Sequence, residues 1–145
     1  AKVTELVTSP NAPHVMLINL LAVDVNGHAN NWEKYQESIT ACDAYASNLW
    51  GMIQSNPVLK NQTTLFITND HGRHLDGVKS GFVNHGDHCE GCEHISLLIL
   101  GPDTPKGLSV QKEGELIDLS KTISTLLHFE MPTSKGRFLQ EAFKP

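Results

Sequence analysis

Two apolar, strand-sized runs in this chain each stop at an acid and a histidine, and that arrangement constrains the fold more than any other feature. His14 to Leu21 is a continuous apolar run apart from Asn19, and it leads into Asp24-Val25-Asn26-Gly27-His28. Thr63 to Thr68 is β-rich and apolar, and it leads into Asp70-His71-Gly72. A third run, Ile95 to Leu100, closes on Gly101-Pro102. Near-continuous apolar runs of this length suit strands buried on both faces of a parallel sheet. Ligands of open α/β sheets gather beyond the carboxyl ends of such strands. Acid–histidine pairs at two strand ends can therefore meet at one rim although they are far apart in sequence.

The connecting segments support an α/β layered architecture. Residues 1–13 read as a lead-in loop. Asn30 or Asn31 can cap a long helix on which Trp32, Tyr35, Ile39, Cys42, Ala46, Leu49 and Ile53 recur at spacings of three and four. Such a face packs on a sheet, and the aromatic residues on it are read as packing groups. The helix ends near Ser55-Asn56-Pro57. Residues 72–94 form a loop rich in Gly, His, Asp and Cys without periodicity, and loops of this length inside a domain are usually functional or disordered. A short strand around Leu108 to Val110 is expected next. Asp118 or Ser120 can cap a last helix reaching about His128, and Phe138 to Phe143 can form a short terminal one. The expected fold is one domain over residues 1–145, layered α/β/α with a mostly parallel sheet.

Asp and His supply the oxygen and nitrogen donors that suit Zn²⁺, and Mn²⁺ or Mg²⁺ where oxygen dominates. The D-x3-H spacing lets one loop or helix start present Asp24 and His28 to one ion. Adjacent Asp70 and His71 diverge on a regular strand but can converge on an irregular turn, where Gly72 permits the bend. One further histidine is needed from the loop, which holds His74, His85, His88 and His94. Each piece alone is weak, and the ordered set carries the signal.

Composition narrows the partners. Net charge is −5, from 11 basic and 16 acidic residues. No basic run or aromatic–basic interleaving suggests a nucleic-acid polymer as partner. No apolar run reaches the roughly 18 residues of a membrane span. An acidic chain with eight histidines can still bind anions through bound cations. Cys89 and Cys92 form a C-x-x-C pair that fits a disulfide, a reduced pair or half of a zinc site. Completed by His94 and by His85 or His88, it would be a structural or redox zinc module. Cys42, on the apolar helix face, reads as a buried small hydrophobe.

The segments VDVNGH (23–28), ITNDHG (67–72), NHG (84–86) and LLILGP (97–102) resemble the C-terminal half of the alkaline phosphatase superfamily. That group includes phosphatases, nucleotide phosphodiesterases, phosphopentomutases, cofactor-independent phosphoglycerate mutases and sulfatases. The resemblance spans about residues 14–128. It implies one metal on Asp24, His28 and His85, and a second on Asp70 and His71, so up to two divalent ions, zinc foremost. His85 is preferred to its loop neighbours because it precedes Gly86. Arg73, His74, His88 and His94 become candidates for the substrate side or for groups that support the metal ligands from behind. The implied activity is metal-dependent hydrolysis of a small phosphate ester. Sulfatase and phosphomutase chemistry remain open within the enzyme class, as does a non-catalytic phosphate-binding role. Relatives also carry an N-terminal strand with a further metal-ligating Asp and a Ser or Thr nucleophile at a helix start. Thr68, Ser80 and Ser96 lack that context, so the chain is expected to be a fragment with slight activity and an exposed sheet edge prone to self-association. Resemblance to secreted phosphatases suggests a periplasmic or secreted setting.

Overall fold

The computed structural model describes residues 2–144. Helix α1 (Lys2–Thr8) and helix α2 (Ala22–His28) precede the long helix α3 (Trp32–Ser55). Strand β1 (Leu65–Thr68), the single-turn helix α4 (Glu90–Glu93), strand β2 (Leu97–Leu100) and helix α5 (Leu116–Leu126) follow. Short 3-10 turns sit at Gly81–Val83 and Gln140–Ala142.

Helix α3 forms where the apolar spacing places it. The Asn31 side chain accepts the Lys34 N–H at 3.0 Å and caps it. The preceding turn is tight. Asn30 adopts a left-handed φ of 53°, and the Asn30 and Asn31 N–H groups return to the carbonyls of Gly27 and Asn26 at the end of α2. Asn26 Nδ2 also donates to Ser38 Oγ at 2.8 Å, tying α2 to α3. Trp32 and Tyr35 do not pack on the sheet. They cluster with Phe82, at ring-centroid distances of 4.8 and 5.5 Å.

Several sequence expectations require correction. Residues 1–13 contain helix α1 rather than only loop, with Val7 buried. The D-x3-H motif lies on helix α2, where a spacing of four puts both side chains on one face. The run His14 to Leu21 forms no strand, and Leu17 is 93% exposed. An apolar run becomes a strand only beside another strand, and β1 and β2 pair with each other alone among the described residues. Leu108 to Val110 likewise forms no strand. The cap of α5 is Glu115, in a reciprocal box with Asp118 at its third helical position. Phe138 to Phe143 holds only a 3-10 turn.

The described sheet is antiparallel, not mostly parallel. Leu65 lies opposite Leu100 and Thr68 opposite Leu97. Parallel neighbours need a crossover, usually a helix, to carry the chain back along the sheet. Between Thr68 and Leu97 the longest helix is the single turn α4, and the chain turns around instead. This reversal places the start and finish of the long loop at the same end of the sheet. Asn69 joins them: its Oδ1 accepts the Ser96 N–H at 2.8 Å, and its Nδ2 donates to the His71 carbonyl at 2.9 Å. Backbone then crosses backbone, with the Gly72 N–H donating to the Cys92 carbonyl at 2.8 Å. A Cβ on Gly72 would fall 1.9 Å from the Gly91 carbonyl oxygen, so a glycine is required there. No described helix is long and apolar enough to cross a membrane.

Candidate metal centre

Three separate pieces of chain build one cluster. Helix α2 contributes Asp24 and His28, the turn after β1 contributes His71, and the long loop contributes His85. Asp24 Oδ1 lies 3.4 Å from His28 Nε2, 3.5 Å from His85 Nε2 and 3.8 Å from His71 Nε2. His28 Nε2 and His85 Nε2 are 3.1 Å apart. The His71 and His85 rings stack at 3.5 Å between centroids. Donor atoms around a tetrahedral ion with bonds of about 2.0 Å sit about 3.3 Å from one another, and the shorter separations here are close to that edge.

The hydrogen bonding of His71 leaves a lone pair facing inward. His71 Nδ1 is 2.9 Å from the Gly72 carbonyl oxygen. A carbonyl only accepts, so Nδ1 carries the hydrogen and Nε2 presents a lone pair to Asp24. Burial holds the His85 pKa below the ordinary imidazole value; the neighbouring His71 and Arg73 add to this and Asp24 opposes it. The neutral ring, which is the metal-ligating form, is thereby favoured. A carboxylate oxygen and three imidazole nitrogens pointing at one another repel unless a cation or proton joins them.

Arg73 supplies part of that positive charge. Its Nη2 forms a short ion pair with Asp24 Oδ1 and also donates to the Asp24 carbonyl at 3.1 Å. Nη1 donates to the Val83 carbonyl at 3.2 Å, and the guanidinium lies over the Tyr35 ring. The Arg73 side chain is only 8% exposed, so it is neither a solvated loop group nor held toward open solvent. Gly27 leaves room for it, since a Cβ there would lie 2.6 Å from the guanidinium carbon. Asp24 keeps a second carboxylate oxygen and further lone pairs, so the donor set fits a divalent ion with Arg73 retained beside it.

Asp70 stands at the margin of the cluster. Its Oδ1 lies 3.7 Å from His71 Nε2 and accepts the His71 N–H at 3.1 Å, while its side chain is 86% exposed. Asp24 and Asp70 thus approach the same imidazole. The other loop histidines go elsewhere. His74 is buried, with Nδ1 3.3 Å from Ser80 Oγ and Nε2 3.2 Å from Asp87 Oδ1. His88 is fully out in solvent on Glu93, and His94 is exposed. Cys89 and Cys92 are free thiols, and they gather with His74 and Asp87, not with His94, His85 or His88. Thr68 and Ser96 are exposed.

Sequence reasoning missed Asp87, Asn69 and the structural use of Gly27. Asn69 directly precedes the Asp-His pair, and its place at a strand end was an available signal. Asp87 and Gly27 act on side chains 13 and 46 positions away, and no local pattern marks them.

A family model described as the metalloenzyme superfamily matches residues 2–131. A phosphopentomutase of Herpetosiphon aurantiacus is 27% identical over 128 residues, covering 88% of this chain and 29% of its own length. A 2,3-bisphosphoglycerate-independent phosphoglycerate mutase of Legionella pneumophila is 27% identical over 129 residues, covering 88% of this chain and 23% of its own. A mutase of the same name from Natronomonas pharaonis is 27% identical over 133 residues, covering 90% and 25%. The chain therefore spans about a quarter of the length of the curated relatives it matches. No solved structure matches. With Asp24, His28, Asp70, His71 and His85 all inside the matched span, the chain belongs to the metalloenzyme superfamily, the alkaline-phosphatase-like group that its motifs resemble.

Proposed function

We propose that this chain forms the divalent-metal-binding part of a metal-dependent phosphoryl-transfer enzyme, of the phosphate-ester hydrolase type. The observation that carries the reading is the meeting of Asp24 Oδ1 with the Nε2 atoms of His28, His71 and His85 within 3.8 Å. Zinc is the preferred ion, because three imidazoles and a carboxylate are a borderline-soft donor set. Asp70 and His71 would share in holding a second ion. Bound divalent cations supply charge neutralisation at the oxygens of a phosphoryl group in in-line displacement.

The residues have separable tasks. Asp24 and His28 hold their donors in register because one helical turn separates them. His71 is oriented through its Nδ1–H bond to Gly72. Arg73 fixes the Asp24 carboxylate from the side by its ion pair. Positive charge at this rim lets a net-acidic chain attract a phosphate ester. Thr68 and Ser96 stand at strand ends and not at a helix start, so turnover by this chain alone should be slight.

The relatives' names favour a second reading, phosphomutase chemistry, in which the phosphoryl group returns to the substrate. In protein that joins this chain to a nucleophile segment, a sugar phosphate incubated in ¹⁸O-water separates the two. Hydrolysis releases labelled inorganic phosphate, whereas a mutase moves the phosphoryl group without releasing it. The shared part of the proposal is tested on the chain itself by inorganic phosphate binding. Binding should require added Zn²⁺ or Mn²⁺ and vanish in an Asp24→Ala/His28→Ala variant. Equal phosphate binding in the presence of excess chelator would contradict it.

A further inference from the structure

The long loop contains a second donor cluster, separate from the Asp24 centre. His74, Asp87, Cys89 and Cys92 each bring one ligand atom, and the four atoms lie within 4.8 Å of one another. His74 and Cys92 are buried, at 8% and 5% exposure. His74 Nε2 and Asp87 Oδ1 stand 3.2 Å apart, close to the edge of about 3.3 Å expected between nitrogen and oxygen donors on a tetrahedral zinc. The C-x-x-C pair wraps one turn: the Cys89 carbonyl accepts the N–H groups of Cys92 and Glu93 at 3.0 Å each. That turn directs both thiols to one side.

We propose that these four residues form a structural zinc site that closes the loop on itself. Two cysteines, one histidine and one aspartate complete four-coordination and leave no open position, which is the mark of a structural site. The surroundings agree. Ser80 Oγ sits on the other ring nitrogen of His74 at 3.3 Å and can orient the imidazole. Lys79 pairs with the second oxygen of Asp87. Two thiolates and one carboxylate outweigh the charge of Zn²⁺ by one unit, and the Lys79 ammonium offsets it.

The loop is tied down by Phe82 and Arg73, but other parts of it are exposed and glycine-rich. Leu75 and Val78 are 52% and 42% exposed, and three glycines within it, Gly77, Gly81 and Gly86, have positive φ. His74 directly follows Arg73, and Asp87 lies two residues beyond His85. Zinc here fixes the two ends of the span that delivers Arg73 and His85 to Asp24. The site does not depend on the phosphoryl-transfer reading, because none of its four ligands belongs to the Asp24 cluster.

The test uses the full chain, reduced and stripped of metal, titrated with Co²⁺ alone. A thiolate-to-cobalt charge-transfer band with intense tetrahedral visible bands should appear at one equivalent, and Zn²⁺ should displace it. The Asp24→Ala/His28→Ala variant should keep the band, so loss of the Asp24 centre is read separately. His74→Ala and Asp87→Ala should each weaken cobalt binding by more than about tenfold, the scale set by loss of even an orienting partner. A wild-type spectrum without the thiolate band overturns the proposal, whatever the folding of the variants. So does unchanged affinity in both His74→Ala and Asp87→Ala, or a purified chain in which Cys89 and Cys92 are joined as a disulfide.

Discussion

The Asp24 cluster and the knot around Asp118 are both built from charged groups, yet their hydrogen bonding is opposite. Asp118 Oδ1 accepts the Arg137 N–H at 2.8 Å, and Oδ2 accepts the Glu115 N–H at 3.0 Å, with the Arg137 guanidinium alongside. Its neighbours Thr122 and Ser124 are fully buried and bonded, Thr122 to the Leu139 N–H and Ser124 to the Lys121 carbonyl. At Asp118, Thr122 and Ser124 donors meet acceptors, which is how a buried polar group becomes structural. At Asp24, one carboxylate oxygen faces three imidazole nitrogens, and Arg73 is the guanidinium beside it. A folded chain keeps such an arrangement where something outside it completes the set. The difference supports the proposal that the Asp24 cluster takes a cation while the Asp118 knot fastens the fold.

That contrast can be broken by four changes, from the largest expected effect downward. Gly72→Ala would force a Cβ into the Gly91 carbonyl. Unfolding by urea should show a loss of about 3 kcal/mol or more, because backbone rather than a flexible side chain must move. Asp118→Ala leaves two backbone N–H groups without their acceptor, and should cost about 2 kcal/mol without altering metal affinity. A variant of Asp118 that weakened metal binding and left stability intact would reverse the assignment of the two regions. Gly27→Ala presses on Arg73, the end of a movable side chain. It should cost about 1 kcal/mol and loosen the Arg73–Asp24 pair, seen as a changed metal affinity.

The smallest effect concerns acid. The backbone N–H of Arg137 leads in holding the Asp118 carboxyl below the usual carboxylate range, Glu115 N–H and the Arg137 charge assist, and burial opposes them. A folded-state pKa lower than the unfolded one contributes stability above the unfolded value and loses it as pH falls through the folded one. Urea midpoints should therefore decline below about pH 4, with a shallower decline in Asp118→Asn. An equal decline in that variant would mean that other carboxylates set the acid limit.

How far this was legible in the sequence depends on the range of each interaction. Helix α3 was readable because its apolar spacing and the Asn31 cap are local. Strands β1 and β2 were readable as elements, but their direction was not. Direction depends on whether the intervening chain crosses over, and residues 72–94 hold no periodicity to decide that. Helix α1 left a signal, Val3, Leu6 and Val7 at helical spacing, that the neighbouring Ser9 and Pro10 obscured. Asp24, His28, His71 and His85 were singled out from their order along the chain, and the structure brings them together. Arg73 on Asp24 and Asp87 on His74 were not legible, because each pairing is set by the path of an aperiodic loop.

Calorimetric titration of Zn²⁺ into the reduced chain, beside the same titration of Asp24→Ala/His28→Ala, reaches the central claim most directly. The account predicts that the double variant loses one binding event while a thiolate-dependent event persists. Two superimposable isotherms would contradict it, since the Asp24 carboxylate and its facing imidazoles would then hold no cation.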